Sequence, residues 1–444
     1  MATSLAAVVM AAGLGTRMKS EVPKHLHPLL GRRMVDWVLE AARPLGADPL
    51  LVITSPAQRE AFGETPVAVQ ETPRGTGDAV AAARSALERN AGHVLVLSGD
   101  TPLLTTELLT SLVEAHRGND AAATILAAEF DESRAYGRIV RDGDGNVRGV
   151  VEAVDATPDQ LAIREMNTSI YVFDAEALWS ALERLEPQNA QGELYLTDTV
   201  GILISDGRRV DVHPARDPRE TDGVNTRAEL AAAAAVLRER INHAHMLAGV
   251  TIVDPQSTWI DPSVELEPDS TVLPFTVLRG STTVAAGAEV GPHAVAVDSE
   301  IGPDALVGPF CYLRPGTVLE RDAKAGAFVE VKNSRLGAGV KAPHQSYIGD
   351  ADIGEGTNIG AGNITANFPH QPGKPKGRTT IGRNVRTGVH NAFVAPVEIG
   401  DEAWIGAGSV ITKDVPPGSL AVARARQVTK EGYVDEQRKR AADD

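Results

Sequence analysis

The sequence predicts two architectures in one chain: an α/β domain built around a mostly parallel sheet, followed by a parallel β-helix. Three observations predict this. From Leu5 to about Asn225, short apolar runs alternate with longer helical patterns. Residues 227–247 contain no Gly or Pro and carry Leu230, Ala234, Leu237 and Ile241 at helical spacing. From Ile260 onward an aliphatic residue returns every six positions, often followed by Gly.

The first region opens with AAVVMAAG from Ala6, then MVDWVLEAARPLG, LLVIT, a helical AVAAARSALERN and HVLVLSGD. Strands and helices in alternation indicate βαβ units. Ligands of such sheets bind beyond the C-terminal strand ends, so the polar residues just after each apolar run are the ones to inspect. The N-terminal apolar stretch has no basic residue ahead of it and runs straight into a Gly-rich loop, which reads as a first strand and not a signal peptide. Residues 227–247 read as a connecting helix whose apolar stripe lies on the first domain. The boundaries expected are 1–226, the helix 227–247, the solenoid 248–424 and a charged tail 425–444, either a short helix or a mobile end.

The six-residue period is written in IGPDAL from Ile301, VGPFCY from Val307, IGEGTN from Ile353, IGAGNI from Ile359 and IGAGSV from Ile405. Repetition at this period marks a β-helical solenoid in which each short strand stacks on its copy one coil away. Three hexapeptides make a triangular coil, giving roughly eight coils at the spacing of neighbouring strands. Between Asn367 and Thr380 the repeat breaks at NFPHQPGKPKGRTT, an excursion loop. Spacing does not fix the hand of the helix.

Composition sets outer limits. No run approaches the roughly 18–20 uninterrupted apolar residues of a membrane span. Cys311 is the one cysteine, so no disulfide within the chain is possible and a reducing cytoplasm fits. A net charge of −16 argues against a general nucleic-acid binder. A phosphorylated small ligand needs only a few local cations and backbone N–H groups.

Those groups stand after the first strand: Gly13 and Gly15, then Arg17, Lys19 and Lys24. Glycines let the backbone approach a phosphate, and the cations offset its charge. AAGLGTRM with its following Pro-Lys resembles the sugar-1-phosphate nucleotidylyltransferases. Further segments agree in order: QETPRGTGDA at Gln70, SGDTPLL at Ser98, YGRI at Tyr136, VEAVDAT at Val151, NTSIY at Asn167, NAQGELYLTD at Asn189 and GVN at Gly223. The NAQGELYLTD run is similar to the bifunctional N-acetylglucosamine-1-phosphate uridylyltransferase / glucosamine-1-phosphate acetyltransferase family.

The resemblance implies a Rossmann-like nucleotidyltransferase domain that joins UTP to N-acetylglucosamine-1-phosphate and releases pyrophosphate. Catalysis would rest on positioning and charge neutralisation. It implies that Asp100 and Asn225 hold Mg²⁺, and that Arg17 and Lys24 stabilise charge on the phosphates. Ala11, Ala12, Gly13, Gln70, Gly75 and Thr76 would bind the nucleotide, the last three reading the uracil. Gly137, Glu152 and Asn167 would bind the sugar. Taken alone, Asp100 could cap the next helix and Asn225 could cap the connecting helix.

In the solenoid, RPG at Arg314, VEVKNSRLG at Val329, KAPHQSYIGD at Lys341, NIGAGNITANF at Asn358 and the final VAR at Val422 resemble the acetyltransferase half of that family. Its hexapeptide β-helices are left-handed and form homotrimers. The implied reaction moves acetyl from acetyl-CoA to glucosamine-1-phosphate. His344 would be the base, Arg314 and Lys332 would bind the phosphate, and Tyr347 and Asn358 would position the sugar. Ala361, Asn367, Phe368, Val389, Ala407 and Arg424 would contact coenzyme A. The sequence departs from the family at Asp78 (usually His), Ser169 (usually Gly), Phe368 (usually Tyr), Val389 (usually Ser) and in the longer 367–380 loop. The alternative is a nucleotidylyltransferase whose solenoid only regulates or oligomerises.

Overall fold

A computed structural model of the protein describes residues 4–13, 15–87, 92–130, 134–369 and 373–443. Two compact units, Met1–Leu237 and Arg238–Asp444, divide the chain. The first holds a central sheet in the order Val210–Pro214, Ala123–Glu129, Glu165–Asp174, His93–Ser98, Leu5–Met10, Leu50–Thr54 and Val67–Val69. All neighbours pair parallel except Glu165–Asp174, which runs antiparallel to both of its own. The sheet is mostly parallel, as the alternation predicts. Its central strands are apolar throughout: Val8, Val9, Val94, Leu95, Val96 and Leu97 are fully buried, because helices cover both faces.

A hairpin, Gly137–Arg141 with Val147–Val151, pairs with Glu165–Asp174 and brings Gly137 opposite Asn167. The helix Thr106–Asn119 is capped by Thr105, whose hydroxyl accepts from Leu108 N–H at 3.2 Å. Asp100 therefore does not cap it.

The helix Arg227–Leu247 is continuous. Thr226 caps it: its hydroxyl accepts from Glu229 N–H at 3.2 Å, and the Glu229 carboxylate returns to Thr226 N–H at 2.8 Å. That excludes Asn225 as the cap and leaves its side chain free to point elsewhere. The helix's apolar stripe does not all lie on the first unit. Leu230, Ala233, Ala234 and Leu237 pack with Leu29, Met34, Leu103 and Val224, whereas Ile241 and Met246 pack on the core of the second unit. A 21-residue helix outruns the surface that its first turns cover.

The second unit is a parallel β-helix with three strand ladders. One has nine strands from Trp259–Ile260 to Val410–Ile411, and one has eight from Glu265–Leu266 to Val397–Ile399. The third has six from Thr251–Ile252 to Lys341–His344, then continues through single bridges at Asn358 into three more. The period-six aliphatics fill the interior; Ile260, Leu278, Val290, Leu313, Val331 and Leu336 are buried completely.

At one corner a left-handed residue recurs on each coil: Phe275, His293, Phe310, Phe328, Gln345, Gly362, His390 and Gly408, with φ between 40° and 73°. The first four rings stack face to face, 4.7–5.2 Å between centroids and within 6° of parallel. The excursion after Asn367 is described except at positions 370–372. The C-terminal helix Tyr433–Asp443 is amply charged.

Candidate active sites

In the first unit the loop after Leu5–Met10 carries the phosphate-binding signature; Leu14 lies outside the described residues. Gly15 has φ +63°, and a Cβ there would lie 2.4 Å from the Lys24 Cβ. Only glycine lets the Lys24 stem pass. Ala12, Gly13, Arg17 and Lys24 line a cleft of about 540 Å³. Gln70, Gly75, Thr76, Asp100 and Asn225 line the same cleft. Ala11 does not line it; its side chain is buried in the core and its N–H donates to the Ile53 carbonyl at 2.7 Å.

The cleft converges on Lys24. Its ammonium pairs with the Asp100 carboxylate and donates to Asn225 Oδ1 at 3.1 Å, and Arg17 donates to the same oxygen at 2.9 Å. Burial alone would push the Asp100 carboxyl up. The charge of Lys24, with hydrogen bonds from Lys24 and Ser98, holds it below the ordinary carboxylate range instead. An ionised carboxylate and an amide oxygen that already share one cation fit a hard divalent ion, which prefers oxygen and completes its shell with water and phosphate. Among the described residues no group of three or more His, Cys, Asp or Glu side chains could form a closed metal cage.

His25 lies beneath this site and its sequence position gave no signal. Burial lowers it to about 4, so the ring is neutral there, with Nδ1 unpartnered. Tyr136 opens the YGRI motif. Its hydroxyl accepts from Gly223 N–H at 2.8 Å, ties the loop that bears Asn225, and is pushed up to about 12 by burial.

Gly137, Glu152 and Asn167 form a second group. Gly137 pairs with Asn167, and a Cβ on Gly137 would lie 3.5 Å from Glu152 Oε2. Asn167 is buried and donates to the Tyr171 hydroxyl at 2.7 Å. Glu152 accepts from the Thr197 hydroxyl at 3.2 Å, and burial raises its carboxyl. Thr197, from the NAQGELYLTD run, is a residue that local reading missed. Ser169 takes φ +61°, the left-handed conformation that explains the Gly usual there.

In the β-helix, Lys332 pairs with Gly349, Tyr347 with Glu330, and Arg314 N–H bonds to the Val331 carbonyl, so Arg314, Lys332 and Tyr347 share one ladder. Arg314 also pairs with Glu330 at 2.9 Å. His344 ends the adjoining strand at the stacked-ring corner, opposite Ala327. Among the described residues its imidazole has no hydrogen-bond partner. Asn358 bridges Lys341, which lies three residues before His344.

The coil register continues from His344 to Ala361, Val389 and Ala407, since Asn358 pairs with Arg386 and Arg386 with Trp404. The Arg424 stem comes next; a Cβ on Gly408 would lie 3.6 Å from its Cδ. Asn367 is not on this corner. Its amide reaches Asp350 at 2.5 Å and the Tyr347 hydroxyl at 3.4 Å, and Phe368 beside it is 73% exposed.

A glycine-rich, cation-bearing cleft at the strand ends of an α/β sheet and a hexapeptide β-helix with a basic ladder beside a His-bearing corner together define a two-domain transferase with nucleotidyl-transfer and acyl-transfer halves. Residues 7–198 match the MobA-like NTP transferase domain, and residues 378–413 match the hexapeptide repeat of succinyl-transferase. The bifunctional protein GlmU of Mycolicibacterium vanbaalenii is 47% identical over 98% of this chain and 93% of that protein. Those of Streptomyces coelicolor and Mycobacterium tuberculosis are also 47% identical over 98% of this chain, covering 94% and 92% of their own lengths. The chain belongs to the bifunctional GlmU family. It is a transferase whose nucleotidyltransferase and acetyltransferase halves serve the synthesis of UDP-N-acetylglucosamine. Among the described residues no helix is long and apolar enough to cross a membrane.

Proposed function

We propose that the β-helix acetylates glucosamine-1-phosphate from acetyl-CoA, and that the first unit then transfers UMP from UTP to the product. The convergence of Arg17, Lys24, Asp100 and Asn225 in one cleft carries the second half of this reading. Gly13 and Gly15 admit the triphosphate close to the backbone, and Arg17 and Lys24 bear on its charge. Asp100 and Asn225 would hold Mg²⁺. When bound, that ion neutralises charge across the phosphates. Gln70, Gly75 and Thr76 receive the base, and Gly137, Glu152 and Asn167 the sugar. A phosphate oxygen of the sugar substrate attacks the α-phosphorus as the bond to pyrophosphate breaks.

In the β-helix, Arg314 and Lys332 receive the sugar phosphate, and Tyr347 and Asn358 orient the ring. His344 removes a proton from the amine, which attacks the thioester carbonyl; the C–S bond breaks and coenzyme A leaves as the thiol. Ala361, Val389, Ala407 and Arg424 line the carrier's path along the corner. Asn367 and Phe368 stand off that corner, an arrangement that suits a homotrimer in which a neighbour supplies part of each site. We place the enzyme in the cytoplasm, where both nucleotide and thioester are made.

The test separates the two halves. His344→Ala should abolish thiol release from acetyl-CoA and leave pyrophosphate release from UTP intact, and Asp100→Ala should do the reverse. No thiol release by the wild type would leave the β-helix a regulatory or assembly element.

A further inference from the structure

The Gln70 side chain has no freedom over which end faces the cleft. Its amide nitrogen donates to Asp78 Oδ2 at 2.8 Å and to the Gly75 carbonyl at 3.1 Å. A carboxylate and a carbonyl only accept, so both contacts demand the nitrogen end, and both of its N–H groups are consumed. What remains for the cleft is Oε1, an acceptor. Gln70 is buried, which makes reversal of the amide costly: its one oxygen would then face two others, the Asp78 carboxylate and the Gly75 carbonyl. Asp78 is fixed in turn, because its Oδ1 accepts from Arg74 Nη2 at 2.6 Å and Nε at 3.1 Å, leaving Oδ2 for Gln70.

We infer that Asp78 is a specificity-determining positioning residue: it locks Gln70 as a pure acceptor, selecting a nucleobase that presents a ring N–H there over one that presents a lone pair. Uracil carries a hydrogen on N3 and cytosine a lone pair at the same atom. The inference rests on the reading of Gln70 as a base-contacting residue. Nothing in the motif beginning at Gln70 suggests it, since the contact depends on the geometry of the turn around Gly75.

The variants are Asp78→Asn, Asp78→Ala and Gln70→Ala. Asparagine keeps the size and a hydrogen bond, but its amide can donate or accept, so the Gln70 amide can turn over. Pyrophosphate release is followed with UTP and with CTP, N-acetylglucosamine-1-phosphate being the acceptor. The UTP-to-CTP ratio of kcat/KM should fall about tenfold or more in both Asp78 variants, mainly through KM for the nucleotide. KM for the sugar phosphate should stay at the wild-type value, which a collapsed cleft would not allow; if it moves in Asp78→Ala, Asp78→Asn decides. A ratio that falls in Gln70→Ala but holds in the Asp78 variants overturns the role of Asp78 and leaves the Gln70 reading standing. A ratio that holds in all three overturns both.

Discussion

The Lys24 ammonium lies between the Asp100 carboxylate and the Asn225 amide oxygen, residues 76 and 201 positions further along the chain. Two loops that leave different strands are thus tied by one side chain. Both members of the Lys24–Asp100 pair are largely shielded, with 12% and 16% of their side chains exposed, so neither charge can fall back on water.

Lys24→Met should therefore cost about 3–5 kcal/mol of stability by leaving a shielded carboxylate unpaired, and should lower uridylyl transfer at least a hundredfold. The Asp100 carboxyl is depressed in the folded state. Its contribution is present above the unfolded value near 3.8 and is lost as pH falls through the folded value. The wild-type minus Lys24→Met difference in melting temperature should shrink on acidification below about pH 4. A difference that stays constant with pH would deny the coupling.

Glu152 has the opposite sign. Burial raises its carboxyl above 4.5, so its contribution is complete below that value and is lost as pH rises through the folded one. Glu152→Gln should remove this loss and melt higher than wild type at neutral pH, while raising KM for N-acetylglucosamine-1-phosphate about tenfold. Melting curves from pH 4 to 8, with steady-state kinetics, check both.

Gly75 has φ +117°, and a Cβ there would lie 2.5 Å from the Leu194 carbonyl oxygen. That oxygen already accepts from Gly77 N–H at 2.8 Å. Gly75→Ala should cost about 2–4 kcal/mol and raise KM for UTP, readable by chemical denaturation and nucleotide titration.

Phe310 stacks on both His293 and Phe328. Phe310→Ala breaks two ring contacts and should destabilise the β-helix by about 1–3 kcal/mol, whereas Phe275→Ala, at the end of the row, should cost roughly half as much. Equal losses would show that burial of each ring, and not the stack, matters.

Much of this architecture is legible locally. The six-residue period is visible because every coil must turn an aliphatic side chain inward, and the βα alternation because strands buried on both faces are uniformly apolar. Sheet order is not: Glu165–Asp174 reads like its neighbours, and only long-range pairing makes it antiparallel. The Gly13–Lys24 loop and Asp100 sit in compact motifs. The encounter of Gly137, Glu152 and Asn167, by contrast, comes from strand register. His25, Thr197 and the Asp78–Gln70 bond depend on who is buried beside whom. The ring row escaped because its members recur at 17 or 18 residues, a spacing three times the hexapeptide period, and a His interrupts the Phe series.

The corner that carries His344, Ala361, Val389, Ala407 and Arg424 also measures length. Each coil advances by one strand spacing, about 4.8 Å, so four steps separate the imidazole from the guanidinium by about 19 Å along the axis. In the proposed site this makes the β-helix a ruler for the acyl carrier: the number of coils fixes how far the thioester lies from the group gripped at the far end. Lengthening the 367–380 excursion leaves that distance untouched, because the loop leaves one face of a coil, Ile364–Ala366, and rejoins the next face of the same coil at Thr379–Ile381. Inserting or deleting a whole coil would change it by one step, and reach would then fail while every individual contact residue was still in place.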